Sequence, residues 1–115
     1  MTGDEKLARL LGDLASFVGQ AAFITSHGRD AYVADDQQGM LLRNAGERVL
    51  IKVATVVERL PQAFKEAHPD VAWQDIGRMR NLVAHHNDHV DDDLMWNALV
   101  MRVPDLSRRV GPRPL

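Results

Sequence analysis

Apolar positions recur in three- and four-residue steps along almost the whole chain. Leu7, Leu10, Leu11, Leu14, Val18 and Ala21 form one stripe, with Phe17 and Ile24 beside it. That spacing covers one face of a helix, so residues 3 to about 26 are predicted as a single amphipathic helix. Thr2 and Glu5 precede it in the T-x-x-E arrangement of a capping box. His27-Gly28 marks its end, with glycine suited to the left-handed cap. A second stripe, Leu42, Ala45, Val49, Val53, Val56, Val57 and Leu60, lies within 37–60. Its IKVATVV segment is rich in β-branched residues, as a strand would be. The three-four spacing and the length favour a buried helix.

Punctuation residues separate the stripes. RDAYVADD, 29–36, reads as a connector in which Asp35 or Asp36 caps the next helix. Pro61 should kink or stop the second helix, and 62–67 reads as a short continuation. His68-Pro69-Asp70 reads as a turn, because the residue before proline is pushed out of helical geometry. Trp73, Ile76, Met79, Arg80 and Val83 share one side of a third helix, about 72–84. HHNDH, 85–89, breaks it. Asp91 is expected to cap a fourth helix, with Val90 and Met95 as a hydrophobic staple and Asp92 and Asp93 at its positive end. Met95, Ala98, Leu99, Arg102 and Leu106 line its face, and Pro104 is expected to bend it. The pattern predicts an all-α, four-to-five-helix up-and-down bundle. Residues 1–106 are assigned to one domain and 107–115 to a flexible basic tail.

Composition narrows the chemistry. The chain has 115 residues, a size typical of one domain. It has no cysteine, which excludes a disulfide framework, a thiolate metal site and a cysteine nucleophile. A net charge of -2 excludes a uniformly basic nucleic-acid binder but leaves room for a local patch. Arginine far outnumbers lysine. Arginine suits bidentate phosphate contact, although a compositional bias explains the skew more simply. No segment approaches the ~20 consecutive apolar residues of a membrane span. The N-terminus is charged and amphipathic, unlike a signal peptide. A cytoplasmic protein without membrane contact is expected.

The densest polar segment runs from Arg78 to His89 and holds His85, His86 and His89. One reading is a metal site of His85, His89 and Asp91, but that spacing matches no established zinc pattern, and no metal or cofactor is expected. A second reading is metal-free phosphodiester cleavage. Histidine moves the proton of a ribose or leaving oxygen, and arginine stabilises charge developing on phosphorus oxygens. Arg80 and His85 are five apart, about 140° around a straight helix. They share a site only if the helix unwinds or a second chain completes it, as a two-fold dimer does. A third reading is structural: Arg80 pairs with a carboxylate and the histidines cap a helix end. Trp73 and Trp96 read as core or interface anchors. Arg48, Lys52 and Arg59 read as a solvated face. Arg108, Arg109 and Arg113 read as tail cations able to meet phosphate.

The segment RMRNLVAHHNDHVDDDLMW resembles the signature of the HepT-like proteins of the HEPN superfamily. The resemblance rests on Trp73, Arg80-Asn81, His85, Val90-Asp91 and Trp96 in that order. Pro69, Pro104 with Leu106, and Ala45-Gly46-Glu47 also fit, so it covers about residues 4–108. It implies a small helical ribonuclease toxin of a toxin–antitoxin pair. Arg80 and His85 stand at the family's catalytic positions, and Asn81 is an orienting residue. It also implies a homodimer whose motifs face each other across a cleft, RNA as substrate, and a minimal nucleotidyltransferase as antitoxin. In much of the family a tyrosine after the histidine accepts AMP from that antitoxin. Asn87 stands there in this chain and has no phenolic hydroxyl. No modification is expected at that position, and a catalytically silent helical binding module for a nucleotidyltransferase is the alternative function.

Overall fold

A computed structural model describes residues 2–84 and 92–110. Those residues are all-α. Helix α1 (Gly3–Thr25) starts at Thr2, whose Oγ1 accepts from the Glu5 amide at 3.2 Å. The chain leaves α1 through Gly28 at φ 89°, a backbone conformation that side chains other than glycine rarely adopt. A short helix α2 (Arg29–Val33) follows. Asp36 then caps α3 (Gln37–Arg59) by accepting from the Gly39 amide at 2.7 Å. Leu60 and Pro61 separate α3 from the short α4 (Gln62–Glu66). Helix α5 (Trp73–Ala84) comes after the turn at 68–71. The last run joins α6 (Asp92–Asn97), a π segment (Ala98–Arg102) and α7 (Val103–Val110).

Helix α3 is the centre. It packs chiefly against α5, α1 and α2, and also touches α6 and the π segment. Its buried residues therefore cover more than one stripe: Leu42, Gly46, Val49, Leu50, Val53, Ala54, Val56 and Val57. Leu50 and Val53 are wholly enclosed. Burying each such side chain contributes about 1.5–3 kcal/mol relative to leaving it exposed. The β-branched residues here are helical because three neighbours cover them, which outweighs their weak helix propensity.

Four details differ from the sequence expectation. Residues 29–33 form a helix, not a connector, because Tyr32 is buried and anchors that turn in the core. Ala45 is exposed, and Gly46 takes the buried position beside it. A Cβ on Gly46 would lie 2.8 Å from Leu99 Cδ1 and 3.0 Å from the Tyr32 hydroxyl, so glycine allows the close approach. The irregularity expected at Pro104 is a π turn, in which the Val103 amide donates to the Ala98 carbonyl. Proline cannot donate to the preceding turn, and a widened turn relieves its ring's clash with that turn's carbonyl. Val103, not Arg102, is then buried after Leu99. Finally, residues 107–110, assigned above to the tail, continue α7, and buried Val110 docks its end in the core.

Helix α1 is long and apolar enough, by length and composition alone, to cross a membrane. Asp4, Glu5, Lys6, Arg9 and Asp13 interrupt its first half, and Leu10, Leu14, Ala21 and Ile24 are buried inside the bundle. It packs against α3, α7 and the π segment as one helix of the bundle.

Two glycine-to-alanine changes should have opposite signs. At Gly12 an added Cβ meets nothing, so Gly12→Ala should stabilise α1 by up to about 1 kcal/mol through helix propensity. At Gly39 the Cβ would overlap the Ala34 carbonyl, so Gly39→Ala should destabilise by roughly 1–3 kcal/mol. Urea midpoints of both variants beside the parent check this.

Candidate active site

Arg80 sits near the C-terminal end of α5, on the side facing α3. Its Nη1 donates to Glu58 Oε2 at 2.6 Å, and its Nη2 donates to Thr55 Oγ1 at 2.6 Å. Thr55 and Glu58 are three apart on α3, so both present side chains to the same neighbour. The Thr55 hydroxyl donates its proton to the Ile51 carbonyl at 2.9 Å. Its lone pairs are thereby left to accept from Arg80. The Arg80 side chain is 41% exposed and Glu58 is 65% exposed. The guanidinium is oriented by α3 but stands at the surface. The carboxylate partner in the structural reading of Arg80 is thus Glu58. Asn81 is exposed on α5. His85, His86, Asn87, His89, Val90, Asp91 and Arg113 lie outside the described residues. So do the expected Asp91 cap, the Val90–Met95 staple and the His85/His89/Asp91 metal constellation.

The two described ends that flank 85–91 are each tied to the bundle. On the α5 side the ties are Arg80 to Glu58 and Thr55. On the α6 side, Arg29 of α2 pairs with Asp93, and the Tyr32 ring lies 5.3 Å from Trp96. The other signature tryptophan, Trp73, donates from Nε1 to the carbonyls of Lys65 at 3.0 Å and His68 at 3.1 Å. It fixes the start of α5 against the turn before it. The two tryptophans therefore brace both sides of the motif from partly buried positions.

Arg78 is two residues from Arg80 and faces away from it. It lines a cavity of about 150 Å³ with Leu82, Leu94, Asn97 and Arg102. Arg78 also pairs with Asp75 at 3.1 Å. Arg108 and Arg109 are helical, and both pair with Asp105. Arg109 also reaches Asp70 at 3.0 Å, joining α7 to the turn before α5. These hydrogen bonds hold the Asp105 carboxyl below its ordinary range and raise Arg109 above its own. The sequence pattern gave no sign of Thr55, Glu58 or Asp70 as partners.

Tyr32 is the chain's one tyrosine and is 1% exposed. Burial, then the nearby carboxylates of Asp92 and Glu47, push its hydroxyl well above the usual tyrosine range, against a smaller opposing effect of Arg43. Arg43 itself clamps the α2–α3 corner by donating to the carbonyls of Tyr32 and Ala34, each at 2.8 Å. An enclosed, neutral phenol is a poor acceptor for a nucleotidyl group.

Comparison with known proteins places these features in context. The profile of the family described as Ribonuclease HepT-like matches residues 13–111. A protein named "Putative RNase" from Caldanaerobacter subterraneus subsp. tengcongensis is 30% identical over 61% of this chain and 62% of its own length. Another "Putative RNase", from Methanocaldococcus jannaschii, is 28% identical over 50% of this chain and 48% of its own length. A "Probable ribonuclease HepT" from Thermococcus cleftensis is 29% identical over 51% of this chain and 54% of its own length. The chain thus spans about half to three-fifths of the curated relatives it matches. No solved structure matches it.

The Tyr32 environment carries a pH prediction. An unfolded tyrosine ionises near pH 10, whereas folded Tyr32 stays neutral at higher pH. Above about pH 10 the unfolded chain therefore holds fewer protons than the folded one, and stability falls as pH rises. Tyrosinate absorbance should appear together with loss of the helical circular dichroism, in one transition. Tyrosinate appearing while the helices persist would contradict the burial.

Proposed function

The chain belongs to the ribonuclease HepT-like family, and we propose that it is a metal-independent endoribonuclease toxin of a toxin–antitoxin pair. Arg80 is the observation that carries this reading: a signature arginine held by α3 with its guanidinium at the surface. In the proposed reaction the ribose 2′-hydroxyl attacks the adjacent phosphorus and the bond to the 5′-oxygen breaks. His85 takes or returns the proton at these oxygens. Arg80 stabilises the charge that grows on the non-bridging oxygens. Asn81 orients the site. Arg80 and His85 are about 140° apart on a straight helix, so a homodimer with two motifs across a cleft is part of the reading.

The cognate antitoxin is a minimal nucleotidyltransferase in this reading, and it acts by binding. Asn87 offers no phenol at the family's acceptor position, and the phenol of Tyr32 is enclosed. The cytoplasm is the proposed compartment. The competing reading is a catalytically silent module that binds the nucleotidyltransferase, and Asn87 is the residue that favours it.

Induced expression separates the two readings, provided that parent, Arg80→Ala and His85→Ala accumulate equally as soluble protein. Growth arrest with loss of total RNA is expected for the parent only. With purified protein, each substitution should lower RNA cleavage by about 100-fold or more. Undiminished cleavage by His85→Ala would remove the proposed mechanism. No cleavage by the parent, with tight binding of the nucleotidyltransferase, would establish the binding module.

A further inference from the structure

We infer that Thr55 and Glu58 of α3 are positioning residues for the ribonuclease reaction, acting through Arg80. The inference rests on the reading of Arg80 given above. Neither residue belongs to the motif segment, and neither lies on the same helix as Arg80. Arginine has several rotatable bonds, and at 41% exposure the bundle alone does not hold its head group in one place. Two bonds at 2.6 Å from separate nitrogens fix both the position and the plane of the guanidinium. They take two of its five N–H donors, so pairing with α3 does not exhaust it as a phosphate ligand.

The two partners contribute differently. Thr55 is part-buried and acts as a fixed acceptor, because its one proton is committed to the Ile51 carbonyl. Valine at this position would keep the shape and leave Arg80 Nη2 without its acceptor. Serine would keep the acceptor. Glu58 is exposed and supplies charge, so it orients Arg80 from the solvent side and leaves the other N–H donors for phosphate. Catalysis depends on the charge being placed before the phosphorus becomes five-coordinate. A guanidinium displaced by about 1 Å costs up to roughly 100-fold in rate.

The test uses the purified full chain and steady-state cleavage of a defined RNA, with Arg80→Ala measured in parallel. Thr55→Val should lower kcat by about 10- to 100-fold and leave KM within about threefold. Thr55→Ser should restore kcat to near the parent value. Glu58→Ala, at a surface position that leaves folding intact, should lower kcat about tenfold. Melting temperatures should hardly move for any of these. If Arg80→Ala loses activity while Thr55→Val and Glu58→Ala keep the parent kcat, the positioning role is wrong and the ribonuclease reading stands. If Thr55→Ser is as impaired as Thr55→Val, retaining the acceptor hydroxyl does not rescue the reaction, and the inference fails. If Arg80→Ala keeps full activity, the reading of Arg80 fails first and this inference with it.

Discussion

Enclosure of α3 is the constraint on which the rest of the structure depends. A helix packed against α1, α2 and α5 needs a wide apolar face, and α3 buries Leu42, Val49, Leu50, Val53, Ala54, Val56 and Val57 on one. It must also be slim where neighbours come closest. Gly39 lies under the Ala34 carbonyl, and Gly46 lies under Tyr32 and Leu99. The strip of α3 facing α5 carries polar groups at Thr55 and Glu58, beside buried Val56 and Val57. The surface that organises the core thus also holds the arginine of the motif.

Elements that rest on periodicity and capping were legible in the sequence. The T-x-x-E start of α1, the Asp36 cap and the stop at Pro61 all correspond to local physics acting within one turn. The parts that were not legible depend on contacts between distant residues. Nothing near Tyr32 in sequence marks it as the plug between α2, α3 and α6. That follows only from the space opposite Gly46 and the ring of Trp96. The π turn before Pro104 reflects a choice between bending a helix and widening one turn, and packing of Val103 goes with the second. The end of α7 reads as a basic tail because its arginines dominate locally. Asp70 and Asp105, which pair with Arg109, lie 39 and 4 residues away, and buried Val110 closes the helix onto the core.

The proposed site was partly legible for the same reason. The ordered set from Trp73 to Trp96 is a linear motif and can be read as one. The roles of its two tryptophans become physical only with the folded partners: Trp73 is bonded to two carbonyls of the preceding segment, and Trp96 lies tilted against Tyr32. Thr55 and Glu58 have no signature at all. A threonine and a glutamate three apart on a helix are common, and only the approach of α5 gives them a task.

The ion pairs also change what the charge count means for the proposed RNA partner. Arg29, Arg78, Arg80, Arg108 and Arg109 are each paired with a carboxylate, and three of them, Arg29, Arg80 and Arg109, thereby link separate elements. A net charge of -2 then fits a protein whose cations act locally and does not demand a basic face. Exposed pairs of this kind are weak and screened by salt, so a phosphate diester can exchange with the carboxylate at little cost. Arg80 differs from the other pairs, because the part-buried Thr55 hydroxyl holds it together with the exposed Glu58. Thr55 is itself fixed by its bond to the Ile51 carbonyl. In the proposed reaction both bonds keep the guanidinium oriented, and its remaining N–H donors face no competition from α3 for a phosphate.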